Sequence, residues 1–290
     1  MQQSQYCLAQ PQGIQMSSQI HYKSVQDISI AYKEYGPVHD TDKNDLPLLM
    51  ITGYGGLMEM WPQAMLQSLA ASRRIIMFDN RGLGFSTSSE QDYSIELFAR
   101  DADELLNALN IEQVHVLGWS MGSFIAQELA LHHPWKVGKL ILLAGSCGGS
   151  DAFWPDDRVW NSLTDFSGTL EERIQRMFAN LFPQNWLQEH SDPSKYFPPV
   201  TAPVDDHNLL RQARTLKAWP GSFSRLPQLK AQTLIITGSD DFIIPGQNAD
   251  LLAQRIPKSS VLNINNGGHG FFFQFPELTA QSINVFLGKE

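Results

Sequence analysis

The chain has 290 residues, of which 42% are hydrophobic and 18% charged, which is typical of a globular protein. This length is enough for a sizeable core, either in one domain with an insertion or in two small domains. Its formal net charge of −9 argues against nucleic acid and against an anionic membrane as partners, because both bind basic surfaces. The two cysteines, Cys7 and Cys147, support neither a disulfide framework nor a zinc site. The sequence has no secretory signal pattern and no apolar run of about 18 residues, so the protein is expected to be cytoplasmic.

The amino-terminal part of the chain contains a polar tail, a hairpin and a first buried strand. Residues 1–17 are rich in glutamine and lack periodicity, which predicts a flexible tail. Two alternating segments, Gln19–Ser24 and Ile28–Tyr35, predict an antiparallel hairpin. The polar residues 38–45 predict a loop, and the continuous apolar run Leu46–Thr52 predicts a strand that is buried on both faces.

From this point strands and helices alternate along the chain. Short apolar runs predict strands at Arg74–Asp79, Val114–Leu117, Lys139–Ala144, Thr233–Thr237 and Ser260–Asn265. Helical periodicity predicts helices at Trp61–Ser72, from the capping residue Ser94 to Leu109, and at Met121–His132, Gln247–Arg255 and Pro276–Leu287. This alternation predicts an α/β fold, in which a mostly parallel central sheet carries helices on both faces.

Residues 148–229 interrupt the alternation. The segment is rich in tryptophan and proline and contains helix-like pieces, such as Leu170–Phe182, but no candidate strand of the sheet. Because the segment lies between two predicted strands, we expect a helical lid inserted over the carboxyl edge of the sheet. Residues 18–147 and 230–290 then form the core that carries this lid.

A candidate nucleophile stands at one junction between a strand and a helix. The stretch Val114–Gly122 reads V-H-V-L-G-W-S-M-G, so that an apolar strand runs directly into a Gly-x-Ser-x-Gly motif and a helix. Such a sharp turn exposes the hydroxyl of its serine, here Ser120, and the glycines at 118 and 122 give room for the neighbouring strand and helix. The motif alone is weakly specific, so Ser120 needs a base and an acid later in the chain to act as a nucleophile.

Both partners follow in the order that this architecture requires. The strand in Thr233–Pro245 ends in a turn with adjacent carboxylates at Asp240 and Asp241, either of which could orient an imidazole. A glycine-rich loop, N-N-G-G-H-G, then carries His269 just after another predicted strand. The carboxyl ends of parallel strands lie at one edge of a sheet, so these side chains are expected to meet Ser120 there.

On these residues the chain resembles the α/β-hydrolase family, in its lid-containing serine esterase-like branch. The resemblance spans about residues 25–288 and rests on I-T-G-Y-G-G at 51–56, F-D-N-R-G-L-G-F-S at 78–86, G-W-S-M-G at 118–122, and the two motifs that contain Asp241 and His269. It implies that Asp241, four residues before a proline, is the acid of the triad, with Asp240 as the alternative. It implies no cofactor and no metal.

The resemblance also implies where an oxyanion is stabilised. In this family the backbone N–H after the nucleophile and one from the loop after an early strand form the oxyanion hole, which corresponds to Met121 and Tyr54 here. Many members carry a histidine where this chain has Thr52, which leaves open how the loop is supported. The segment with Asp79, Arg81 and Ser86 is expected to brace a loop, and Cys147 to be a small buried residue.

Aromatic and thioether side chains surround the predicted site in sequence. Trp119 precedes the nucleophile, and Trp154 belongs to the insertion. Met58 and Trp61 follow residues 52–56, the segment with Tyr54 that we call the oxyanion loop. They predict a mainly apolar pocket for a small-molecule ester or lactone, although packing of the core and lid would need the same residue types.

Three other activities use the same serine chemistry and stay open. They are hydrolysis of a C–C bond in a diketone, cofactor-free perhydrolysis, and slow-turnover sensing of a small molecule with signalling to a protein partner. Dehalogenases and epoxide hydrolases of this fold need a carboxylate at the nucleophile position, so Ser120 argues against both. The sequence leaves the oligomeric state undetermined.

Overall fold

The computed structural model describes residues 14–16, 19–37 and 46–288. Within these residues the strands are β1 (Ile14–Met16), β2 (His21–Val25), β3 (Ile28–Pro37), β4 (Leu48–Ile51), β5 (Ile75–Phe78), β6 (Val114–Trp119), β7 (Val137–Leu143), β8 (Gln232–Gly238) and β9 (Ser259–Ile264). They form one sheet in the order β1-β3-β5-β4-β6-β7-β8-β9, and β2 pairs with β3 outside this path. The strands from β5 to β9 in this order run parallel, whereas β3 runs antiparallel to β5. The mostly parallel sheet expected from the sequence is therefore confirmed.

The amino-terminal strands form the antiparallel end of the sheet. The predicted hairpin is present as β2 and β3, with Val25 opposite Ile28 next to the turn. The structure differs from the sequence expectation at β1, which lies in the segment 1–17 expected to be a tail but pairs with the end of β3. Backbone hydrogen bonds can add so short a strand to a sheet edge without any hydrophobic pattern. The rest of that tail and the predicted loop at 38–45 lie outside the described residues.

The helices lie on both faces of the sheet. They are α1 (Gln63–Ala70), α2 (Ile95–Ala108), α3 (Met121–His132), α4 (Asp157–Leu163), α5 (Leu170–Leu181), α6 (Gln184–Glu189), α7 (Asp206–Ala218), α8 (Gln247–Arg255), α9 (Phe271–Gln274) and α10 (Pro276–Leu287). The predicted cap of α2 is present, because the Ser94 hydroxyl accepts a hydrogen bond from the Leu97 N–H. The single turn α9 was not predicted. None of the helices in the described ranges has the length and apolar character needed to cross a bilayer.

Two hydrophobic cores hold these layers together, one on each face of the sheet. Along β4, Leu49 and Ile51 pack with α2, α3 and α8, whereas Leu48 and Met50 pack with α1 and α10. Successive side chains of a strand point to opposite faces, so a strand that is covered on both sides must be apolar throughout. This requirement explains the continuous apolar run that marked β4 in the sequence.

Residues 148–229 form a helical insertion between β7 and β8 that contains α4 to α7 and contributes no described strand to the sheet. It contacts the loops at the carboxyl ends of the parallel strands. The Leu181 carbonyl accepts a hydrogen bond from the Gly270 N–H after β9, and the Gln212 side chain accepts one from the Gly55 N–H after β4. The insertion therefore lies against the edge where the sequence places the candidate catalytic residues.

Candidate active site

Ser120 occupies a strained turn between β6 and α3. Its φ of 55° and ψ of −120° lie in a region that side chains other than glycine rarely adopt, and such strain is common at functional sites. The backbone holds this conformation, because the Ser120 N–H donates to the Leu143 carbonyl at 2.9 Å. The packing admits no larger residues nearby: a Cβ at Gly122 would collide with the Ile51 carbonyl, and one at Gly53 would lie 2.9 Å from the Ser120 Cβ.

The imidazole of His269 is held by one carboxylate. His269 Nδ1 lies 2.8 Å from Asp241 Oδ2, and both residues are buried. The other oxygen of Asp241 accepts hydrogen bonds from the N–H groups of Ile243 and Ile244, at 2.9 and 2.8 Å, so the carboxylate is fixed in position. Asp240, the alternative in the sequence, is exposed and accepts a hydrogen bond from the hydroxyl of the preceding serine. Asp241 is therefore the carboxylate that can orient His269.

Trp119 connects the histidine loop to the serine turn. The indole Nε1 of Trp119 donates to the His269 carbonyl at 3.2 Å, and the centroids of the two rings are 5.6 Å apart. Since Trp119 immediately precedes Ser120, the contact holds the loop of His269 beside the turn that presents Ser120. The structure thus brings the loops of all three predicted catalytic residues to the carboxyl edge of the sheet.

The loop after β4 supplies the second predicted oxyanion donor. Among the described residues, no hydrogen bond uses the backbone N–H of Tyr54 or of Met121, so both amides can receive a ligand. Thr52 supports this loop: its hydroxyl donates to the Gly56 carbonyl at 2.9 Å, and the Gly56 N–H donates to the Gly53 carbonyl at 3.1 Å. The support of the loop, which the sequence left open, therefore comes from the Thr52 hydroxyl.

Asp79 braces the loops around the site. Its carboxylate is buried and accepts hydrogen bonds from the N–H groups of Met58, at 2.8 Å, and Phe85, at 3.0 Å. Burial raises the pKa of Asp79 to about 6, because the charged form is poorly solvated. The Ser86 hydroxyl donates to the Asp79 carbonyl at 2.7 Å, and Arg81 binds a buried aspartate of α2 through two hydrogen bonds of 2.7 Å. The expected bracing role of this segment is confirmed.

The residues predicted to bind substrate fall into two places. Met58, Trp61 and Trp119 pack in one buried cluster, where the ring centroids of the two tryptophans are 6.4 Å apart. Trp154 lies apart from them in the insertion, where it is exposed and its ring centroid is 6.4 Å from that of Phe124 on α3. Met58 and Trp61 are almost completely buried and fill the core, so a role for them in binding stays a prediction.

Gln212 contacts the loop after β4, although no motif in the sequence indicated this. Gln212 belongs to α7, is completely buried, and accepts a hydrogen bond of 3.1 Å from the Gly55 N–H in the oxyanion loop. Its signal in the sequence was a polar residue on the apolar stripe of a helix, between Leu209 and Leu216. A buried amide at such a position needs polar partners, and these belong to a distant part of the chain.

Glu59 connects the insertion to the core and was also missed. Its carboxylate accepts hydrogen bonds from the N–H groups of Thr201, at 2.7 Å, and Ala202, at 3.1 Å, and pairs with Lys33 at 3.2 Å. Burial opposes the charge, but these hydrogen bonds outweigh it and hold the pKa of Glu59 below its ordinary value. An ionised Glu59 therefore fastens the insertion close to the oxyanion loop.

The arrangement has the parts needed for nucleophilic attack on a carbonyl. It offers a serine on a tight turn, an imidazole oriented by a buried carboxylate, and two backbone N–H groups, predicted as oxyanion donors, that have no partner among the described residues. Within the described residues no cluster of three or more histidine, cysteine, aspartate or glutamate side chains could hold a metal ion.

Comparisons with known proteins give the family. Residues 47–276 match the family model described as alpha/beta hydrolase fold. The chain is 27% identical over 252 residues to "Putative carbamate hydrolase RutD" of Azorhizobium caulinodans, covering 84% of this chain and 91% of the relative. It is 28% identical over 268 residues to "Putative non-heme bromoperoxidase BpoC" of Mycobacterium tuberculosis, covering 87% and 97%. The solved structure of a hydrolase from Pseudomonas aeruginosa PA01 superposes with a TM-score of 0.78 at 25% identity, covering 94% of this chain and 100% of that one. The chain belongs to the alpha/beta hydrolase fold family.

Proposed function

We propose that the protein is a serine hydrolase that cleaves a carboxylic ester or lactone of a small, mainly apolar molecule through an acyl-enzyme on Ser120. The observation that supports this most strongly is the buried contact of 2.8 Å between His269 and Asp241. A buried carboxylate on Nδ1 leaves the opposite nitrogen of the ring to act as a base, which is the arrangement that activates a serine.

The reaction begins when Nε2 of His269 accepts the proton of the Ser120 hydroxyl as its oxygen attacks the carbonyl carbon. The oxyanion that forms is stabilised by the N–H groups of Tyr54 and Met121, and the charge on the imidazole by Asp241. Protonated His269 then gives its proton to the leaving alcohol, which departs as the acyl-enzyme forms. Water repeats the sequence and releases the acid. Removing a single oxyanion donor typically costs about 3–4 kcal/mol of transition-state stabilisation.

The name of one relative adds a substrate class to be tested. The RutD relative is named for carbamate hydrolysis, and a carbamate presents the same kind of carbonyl to a serine nucleophile, so carbamate esters belong among the substrates to be tested. The apolar surroundings of Trp119 favour a compact hydrocarbon group on the substrate.

A second candidate reaction is favoured by the BpoC relative, whose name describes a non-heme bromoperoxidase. In this reaction hydrogen peroxide takes the place of water and attacks the acyl carbon on Ser120. The acyl group leaves as a peracid, and the proton removed from the peroxide returns the serine to its hydroxyl form. Both candidates need the same acyl-enzyme and differ only in the molecule that accepts the acyl group.

The test compares two serines of the same helix end. Ser120→Ala should lower kcat for short p-nitrophenyl esters and carbamates by about 10⁴–10⁶. The control is Ser123→Ala, because Ser123 is buried one turn further along and its hydroxyl has no partner among the described residues. If Ser120→Ala hydrolyses these substrates with the same kcat as wild type, Ser120 is not the nucleophile. Release of only about one equivalent of p-nitrophenol by wild type would instead favour a sensor, and peracid formed on addition of peroxide would support the second reaction.

A further inference from the structure

The side-chain amide of Gln212 is only half used within the protein. Its oxygen accepts the hydrogen bond from the Gly55 N–H, but its nitrogen, Nε2, is buried and has no hydrogen-bond partner among the described residues. The hydrogen bond from Gly55 fixes which atom of the amide is the oxygen, because the Gly55 N–H is a donor and needs an acceptor opposite it. The two N–H groups of this nitrogen are therefore buried donors without a partner among the described residues.

The position of Gln212 is set by α7 and the oxyanion loop. Gly55 has a φ of +65°, and a Cβ added to it would lie 3.2 Å from Leu209, one turn before Gln212 on the same helix. Two residues earlier in the loop, Gly53 packs against Ser120. A single short loop thus has the nucleophile at one end and the amide of Gln212 at the other, with the N–H of Tyr54 between them.

Tyr54 adds a second polar group without a partner. Its hydroxyl is buried and has no hydrogen-bond partner among the described residues. Burial, with a smaller effect from the charge of Asp206, raises the pKa of this phenol, so the group keeps its proton at neutral pH. Proteins rarely leave buried donors unpaired unless a ligand or water completes them. Both unpaired donors belong to residues at the loop that carries the Tyr54 N–H.

We propose that Gln212 is a substrate-binding residue, whose Nε2 donates a hydrogen bond to a second acceptor oxygen of the substrate, beside the carbonyl that Ser120 attacks. The preferred substrates are then esters, lactones or carbamates with an additional keto or ether oxygen on the acyl side, rather than plain hydrocarbon acyl esters. The inference rests on the proposed function, because it places the reacting carbonyl between Ser120 and the oxyanion loop. It also explains why a helix of the insertion carries an amide against that loop.

Matched pairs of p-nitrophenyl esters test the inference. In each pair one oxygen or carbonyl replaces a methylene or methyl-bearing carbon of similar shape: methoxyacetate against butanoate, and 4-oxopentanoate against 4-methylpentanoate. The quantity measured is the ratio of kcat/KM within a pair, divided by the ratio of the uncatalysed hydrolysis rates. Wild type should prefer the acceptor-bearing ester in at least one pair, and Gln212→Met should reduce that preference about tenfold.

Two further variants separate binding from support of the loop. Measured at a pH at which its carboxyl is ionised, Gln212→Glu keeps an acceptor for the Gly55 N–H but loses the donors, so it should lose the preference just as Gln212→Met does. Gln188→Met, at an exposed glutamine of α6, should retain the wild-type ratio. If Gln212→Met and Gln212→Glu lower kcat/KM equally for both esters of each pair, Gln212 only positions the loop and the proposal is wrong. A preference that survives in Gln212→Glu overturns it as well.

A binding measurement keeps this inference distinct from the proposed function. In the Ser120→Ala background, calorimetry with methyl 4-oxopentanoate and methyl 4-methylpentanoate, and with methyl methoxyacetate and methyl butanoate, reads binding without turnover. Tighter binding of the acceptor-bearing ester in at least one pair, lost when Gln212→Met is added, supports the site even if wild type hydrolyses none of the esters. Hydrolysis by wild type with no preference in either pair would leave the proposed function standing and overturn the role of Gln212.

Discussion

Replacing Asp79 should change how the stability of the protein depends on pH. The pKa of Asp79 is raised from its ordinary value of 3.8 to about 6 in the folded state, chiefly by burial. The folded state therefore binds this proton more tightly than the unfolded state. The stability that the proton supplies is fully present below pH 3.8 and is lost as the pH rises through about 6. A difference of about two pKa units corresponds to about 3 kcal/mol of the free energy of unfolding.

Asp79→Asn removes this titration. The amide can accept only one of the hydrogen bonds from Met58 and Phe85, which adds a cost of about 1–3 kcal/mol that does not vary with pH. Urea unfolding followed by tryptophan fluorescence between pH 4 and pH 8 measures both effects. Relative to the variant, wild type should lose about 2.5 kcal/mol over this range, mostly between pH 4 and pH 6, because the rest of the effect lies below pH 4. A difference between the two proteins that is constant with pH, or that grows in the opposite direction, would refute the reasoning.

Two further predictions concern the triad and the serine turn. Asp241→Asn should lower kcat for p-nitrophenyl esters by about 10⁴, because an amide favours the wrong tautomer of His269, whereas Asp240→Asn should stay within about twofold of wild type. Comparable losses in both variants would contradict the assignment of the acid. Gly122→Ala should lower the free energy of unfolding by about 3 kcal/mol or more, because the added Cβ meets the Ile51 carbonyl. Gly246→Ala, whose Cβ would have no contact closer than 3.9 Å, should change it by less than about 1 kcal/mol, and equal effects in urea unfolding would show that the packing around the turn is not limiting.

The core of the fold was predictable because its strands are buried on both faces. A strand such as β4 must be apolar throughout, and this apolar run differs from the mixed polar and apolar residues of the helices around it. The predicted bounds of α3, α8 and α10 agree with the structure at both ends. By contrast, β1 joins the sheet through three residues of backbone pairing, which leaves no periodic pattern to read.

The site divides in a similar way. Ser120, Asp241 and His269 could be predicted because each follows a strand in a local motif, and parallel strands deliver their carboxyl ends to one edge. Gln212 could not, since its partner Gly55 lies 157 residues away in sequence and only the docking of α7 brings them together. The raised pKa of Asp79 likewise depends on burial, which no local motif reveals.

The same limit applies to the apolar residues near the site. Methionine and tryptophan side chains such as Met58 and Trp61 occur both in binding pockets and in cores. A sequence pattern does not show which of these two places they occupy. The structure places both in a buried cluster with Trp119, whereas Trp154 lies elsewhere in the insertion. Their distribution depends on the three-dimensional path of the insertion rather than on spacing along the chain.

The most direct test of the account is to identify the residue that an active-site-directed fluorophosphonate modifies. Such a reagent reacts with a serine hydroxyl only where a neighbouring base activates it and an oxyanion site receives the phosphonyl oxygen. Intact-protein mass spectrometry followed by peptide mapping should find one adduct per chain on Ser120, with much slower labelling in His269→Gln. Modification of another residue, or equal labelling of wild type and Ser120→Ala, would contradict the assignment of Ser120 as the nucleophile.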